Sequence, residues 1–168
     1  MDELVKRLYD YRYLRARRDL LRLPLSEEER CRLRALEQAW QSDPSSSRPD
    51  DDPAGLPASL CRRFARVSAS IPASLELART PRPVVVVKLG GGGMVVETTA
   101  PFMLRHGELA LVRIRSTTLG REFQFHAQMR WQSERLRGSA HRTALALVGT
   151  PLELRFGPGR SALAAEAA

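Results

Sequence analysis

The sequence predicts a mainly β protein, a small antiparallel barrel or sandwich carried behind a helical hairpin. Three observations lead there. Apolar residues recur with period two over 67–77 and again over 121–131, and turn signals break the chain roughly every 8–12 residues between them and beyond. Before residue 41 the apolar spacing is instead that of a helix. Between these regions, residues 42–57 hold four prolines, several serines and an acidic run, too little apolar surface to offset the entropy of ordering. The expected organisation is a helical extension over 1–41, a flexible linker over 42–57, a β-domain over 58–157 and a flexible tail over 158–168.

The first helix is predicted over 2–23, with Leu4, Leu8, Tyr11 and Leu14 on one stripe and Arg12, Arg15 and Arg18 beside it. Pro24 interrupts it, lacking an N–H and clashing with the preceding turn. Ser26-Glu27-Glu28-Glu29 restarts a helix as a capping box, and that helix runs to about Trp40 with Leu33 and Leu36 on its apolar side. Two antiparallel helices of this size have more seam than core. They are expected to pack on the β-domain, on another protein, or on a second copy of the chain as a homodimer. In the linker, Asp50, Asp51 and Asp52 precede an arginine cluster and could occupy an empty anion site.

In the β-domain, Val67, Ala69, Ile71, Ala73, Leu75 and Leu77 define one face of a strand, and Pro72 within it calls for a bulge or an edge position. Val84–Val87 is a short apolar run of the kind a buried strand has. A glycine run, 90–93, leads to a strand over Met94–Thr99 and then to a turn through Pro101 and His106-Gly107. Further strands are expected over 108–116, 121–131, 143–148 and 152–156, six or seven in all. The tail after Pro158 is rich in alanine and expected to fray.

Charge separates the regions. The chain of 168 residues has a formal charge of +8. Residues 58–168 hold sixteen basic against seven acidic side chains, while 42–57 is net negative. An anionic partner for the β-domain follows. Twenty-five of the 27 basic residues are arginine, a bias that a GC-rich genome also produces. Cys31 and Cys61 have neither metal nor disulfide spacing. The amino terminus is charged from its second residue, and no apolar stretch reaches membrane-spanning length, so a cytoplasmic protein without a membrane span is expected.

Enzymes fit poorly. His106, His126 and His141 are scattered away from any nucleophile or metal partner, and Glu97, Glu108 and Glu122 form no marked pair. Phe123, Phe125 and Trp131 alternate as core residues do, not as exposed stacking rings, so no DNA partner is expected.

Two clusters carry the chemistry. Arg62-Arg63-Phe64-Ala65-Arg66 puts three guanidinium forks just ahead of a strand, suited to bidentate contact with phosphate and with the O6/N7 edge of guanine. Lys88-Leu89-Gly90-Gly91-Gly92-Gly93 lets bare backbone approach a flat, charged ligand. No Gly-Lys-Ser/Thr follows, which excludes a P-loop. The glycines open into a strand, which excludes a dinucleotide fingerprint.

These residues resemble the PilZ family, small bacterial β-barrels that act as receptors for cyclic di-GMP. Its signature is an R-x-x-x-R loop before the first strand and a D/N-x-S-x-x-G turn further on. Arg62 and Arg66 match the first part, with Arg63 between them, and Lys88 to Gly93 occupy the second. Downstream, the REFQFHAQMRW and ALALVG strands are similar to later strands of the family, so the resemblance covers about residues 58–157. It implies a six-stranded antiparallel PilZ-type β-barrel and a non-catalytic, second-messenger signalling module with no cofactor. Arg62 and Arg66 would clamp guanine and phosphate with Arg63 as their neighbour in the ligand-binding set, Lys88 and Gly90 would occupy the acceptor and serine positions of the turn, and Gly93 would allow close backbone approach.

The chain departs from the signature at two positions. Lys88 replaces the Asp or Asn that accepts from guanine N1–H and N2–H₂, and an ammonium has donors only. Gly90 replaces the serine. The losses, about 1–3 kcal/mol for the base contact and about 0.5–1.5 kcal/mol for the hydrogen bond, would bring a micromolar site near millimolar. The alternative is a barrel that binds no nucleotide and acts as a protein-interaction adaptor through residues 1–41 or its own surface. Motility or surface behaviour is the process the family implies.

Overall fold

The computed structural model describes residues 2–41, 66–78, 80–99, 105–132 and 140–156. The linker over 42–57, the tail over 158–168, and Arg62 and Arg63 lie outside the described residues.

Helix α1 spans Asp2–Asp19 and helix α2 spans Glu27–Trp40. α1 ends four residues before the sequence suggests. Leu20 and Leu21 both donate their N–H to Ala16 O, and Arg22 turns left-handed at φ 52°, so the chain has left the helix before Pro24. α2 begins as its capping box requires. Glu29 N donates to Ser26 Oγ at 3.1 Å and Ser26 N donates to Glu29 Oε2 at 2.9 Å, satisfying two of the helix's unpaired donors reciprocally. Ion pairs Arg17–Glu29, Arg18–Glu37 and Arg32–Asp10 tie the helices together.

Six strands follow: β1 Arg66–Leu77, β2 Thr80–Gly90, β3 Gly93–Thr98, β4 Leu109–Ser116, β5 Arg121–Gln132 and β6 His141–Arg155. They close an antiparallel barrel in the order β1-β2-β3-β6-β5-β4. Period-two alternation sets its interior: Leu75, Val86, Leu89, Val96, Val112, Ile114, Phe123, Phe125 and Leu145 point in and are almost fully buried. Glu122 is buried as well but keeps its charge engaged, with Arg115 Nε 2.8 Å away.

Two strand expectations change. Residues 143–148 and 152–156 are not separate strands but parts of β6. At Gly149 the backbone has φ 66°, and the β5–β6 register shifts between Gln124 and His126, so a bulge absorbs the break that the sequence suggested was a turn. Pro72 does lie beside an irregularity, a register shift between Ser68 and Ile71. It also lies outside the short β1–β4 ladder, which pairs only Ser74–Glu76 with Leu111–Arg113.

The hairpin resolves its own shortage of core by packing on the barrel. Val5, Leu8, Tyr11, Leu14, Leu25, Leu33 and Trp40 belong to the same buried cluster as the barrel interior. Tyr9 lies against Phe123 with ring centroids 5.4 Å apart. Burial and the neighbouring Glu153 push the Tyr9 hydroxyl up to about 12.

Candidate anion-binding site

Strand register assembles the candidate site. Arg66 is the first residue of β1 and lies opposite Gly90 at the end of β2, while Ser68 lies opposite Lys88. Across the next ladder Gly90 lies opposite Gly93 and Lys88 opposite Val95. Residues opposite one another, or two apart on a strand, share a face. Arg66, Lys88, Gly90 and Gly93 therefore occupy one face of three adjacent strands, at one end of the barrel. It is the face opposite Leu89 and Met94, whose side chains fill the core. Arg66 is exposed, Lys88 is half-buried, and both engage partners in the folded chain.

In sequence, residues 62–65 immediately precede Arg66, the first residue of β1. Arg62 and Arg63 themselves are not among the described residues. Of the six residues named from sequence, four are thus brought together by the fold.

Gly91 and Gly92 form the turn between β2 and β3. Leu147 N donates to Gly92 O at 3.0 Å, fastening that turn to β6. Gly93 has a packing reason of its own. An ideal Cβ there would lie 2.4 Å from Leu145 O, a space that the β6 backbone already fills.

One residue the sequence did not single out reaches this end from α1. Arg12 Nη2 donates to Leu147 O at 2.9 Å and lies 3.5 Å from Gly149 O. Burial, and then Arg15, lower its pKa from the ordinary arginine value. Its position beside the apolar stripe was legible, but its partner stands 135 residues away in sequence and carries no side-chain signal, being a carbonyl.

The other groups weighed from sequence stay apart. Glu97 pairs with Arg142, Glu122 with Arg115, and Glu108 accepts from Arg105 N. Among the described residues no group of three or more His, Cys, Asp or Glu could hold a metal ion, and no helix is long and apolar enough to cross a membrane.

No family model matches the chain, and no curated protein matches it in sequence. Solved structures do match. The Bacillus subtilis inhibitor of motility (MotI/DgrA) is similar over 53% of this chain and 43% of its own length, with 15% identity and a TM-score of 0.46. The PilZ domain with c-di-GMP of YcgR from Escherichia coli is similar over 52% of this chain and 78% of its own, with 24% identity and a TM-score of 0.44. This chain spans less than half the length of the first of the two.

Proposed function

We propose that the barrel is a non-catalytic regulatory module that binds cyclic di-GMP weakly on the face formed by β1, β2 and β3. The observation that carries the reading is the register: Arg66 stands opposite Gly90, which stands opposite Gly93, with Lys88 on the same face. That register supports the reading because it sets Arg66, the last residue of the arginine motif, beside the glycine turn. Arg62 and Arg66 are assigned to guanine and phosphate, Arg63 to the ligand's anionic surroundings, and Lys88 to phosphate.

The domain's excess of positive charge favours an anionic ligand, and the glycine turn offers it bare backbone. The absence of an acceptor at 88 and of a hydroxyl at 90 lowers affinity for guanine without removing the phosphate contacts. Those same two replacements favour a second reading, an adaptor that binds no nucleotide and works through a protein partner in motility or surface-behaviour regulation.

Titration calorimetry with cyclic di-GMP separates the two. The wild type is expected to give weak heat that Arg62→Ala abolishes, and Lys88→Asp with Gly90→Ser is expected to tighten binding by about tenfold or more, one restored base contact. Silence from the wild type and from the double variant alike overturns the nucleotide reading and leaves the adaptor.

A further inference from the structure

The N-terminal hairpin and the glycine turn are joined by one short hydrogen-bonded path. Arg12 on α1 donates to Leu147 O, and Leu147 N donates to Gly92 O in the turn. Of the carbonyls that Arg12 meets, that of Leu147 belongs to the paired β5–β6 ladder and that of Gly149 lies just beyond it, where β6 bulges. Val148 pairs with His126 and Leu152 with Gln124, so three residues of β6 stand opposite one of β5. The extra residues of a bulge are left unpaired and the ladder is locally disrupted there. Arg12 spans the edge of that bulge, meeting Gly149 within it and Leu147, the paired residue that holds Gly92.

The electrostatics give the link a sign. Arg12 is half-buried, and among the described residues no carboxylate pairs with it; its acceptors are neutral carbonyls. Desolvation and the nearby Arg15 both act against its charge. A negative group seated over the adjacent turn offsets that disadvantage while the hairpin is docked, and offers nothing to an Arg12 that has swung into water.

Resting on the reading of this face as an anion site, we propose that Arg12 couples hairpin docking to occupancy of the glycine turn. An anion held over Gly90–Gly93 fastens the hairpin, and release of the hairpin weakens the anion's hold. Arg12 acts here as a positioning residue, through Leu147. Linkage makes the two effects equal in size.

Hydrogen exchange of the α1 amides and titration calorimetry on the full chain test this, with cyclic di-GMP as the probe for wild type, Arg12→Ala and Arg12→Lys. In the wild type, ligand is expected to slow exchange along α1. Arg12→Ala is expected to weaken binding by about 5–20-fold, within the usual range of coupling between sites, and to abolish the ligand-dependent slowing. Arg12→Lys, which keeps the charge but not the fork, should fall between. A merely structural Arg12 would lower α1 protection by the same factor with and without ligand, which overturns the proposal. So does an Arg12→Ala protein that binds as tightly as wild type, or a ligand that protects the glycine turn and leaves α1 unchanged. If cyclic di-GMP gives no heat, inorganic pyrophosphate is the second probe. Pyrophosphate that slows α1 exchange through Arg12 keeps the coupling and overturns only the nucleotide reading; no effect from either probe overturns both.

Discussion

Gly93→Ala tests how tightly the glycine turn is built into the barrel. The added Cβ would lie 2.4 Å from Leu145 O, and its neighbours beyond that are the Ala146 Cα and the Leu145 carbonyl carbon, both at 3.4 Å. All three belong to backbone. They sit in a ladder that runs from Gly93↔Ala146 to Thr98↔His141, so no side chain can swing aside. Reaching ordinary contact demands a separation of roughly 1 Å between β3 and β6 at this point. Overpacking of that kind costs about 1–3 kcal/mol. Replacing glycine also narrows the unfolded ensemble, which returns about 0.4–1 kcal/mol. A net loss of about 1–2 kcal/mol is expected, seen as a lower urea midpoint at unchanged slope. The Leu147 N–H bonded to Gly92 should exchange faster as well. A variant within 0.3 kcal/mol of wild type, roughly the scatter expected of independent sites, would refute the claim that β6 occupies the space beside Gly93.

Two further outcomes follow from the hairpin. Ser26→Ala removes one half of the capping box and should cost about 1 kcal/mol, measured as a lower thermal midpoint followed by the fluorescence of buried Trp40. Tyr9 is held neutral by burial and by Glu153, with its folded pKa at about 12 against an ordinary value of 10.0. Its contribution is therefore complete below pH 10 and is lost as pH rises from there towards the folded value. Tyr9→Phe should flatten the stability profile across that window in alkaline denaturation; an unchanged slope would place the hydroxyl in water.

Much of the fold was legible because local chemistry and tertiary packing agree. The Ser26 cap, the inward alternation of Phe123, Phe125 and Ala127, and the two-glycine turn each act within a few residues. Where the sequence misled, a long-range term outweighed a local one. Gly149 and Pro151 resemble a strand break, yet β5 pairs on both sides of them and carries β6 through as a bulged strand. The stripe on α1 suggested a helix continuing to residue 23, but the link to α2 and its ion pairs favours an earlier turn at Arg22.

The candidate site divides in the same way. Its residue types, guanidinium forks and bare glycines, were written in the sequence, and so were the two replacements at Lys88 and Gly90. The meeting of Arg66, Lys88, Gly90 and Gly93 on one face was not, because face and register depend on which strands pair, and a shift of one residue would have turned Lys88 into the core. Arg12 is the extreme case. Amphipathic spacing alone put it on the flank of α1, whereas its role depends on two backbone carbonyls of β6, groups every residue carries and no sequence distinguishes. Chain chemistry determined what could bind an anion; closure of the barrel, and the hairpin settling on it, decided which of those groups stand together.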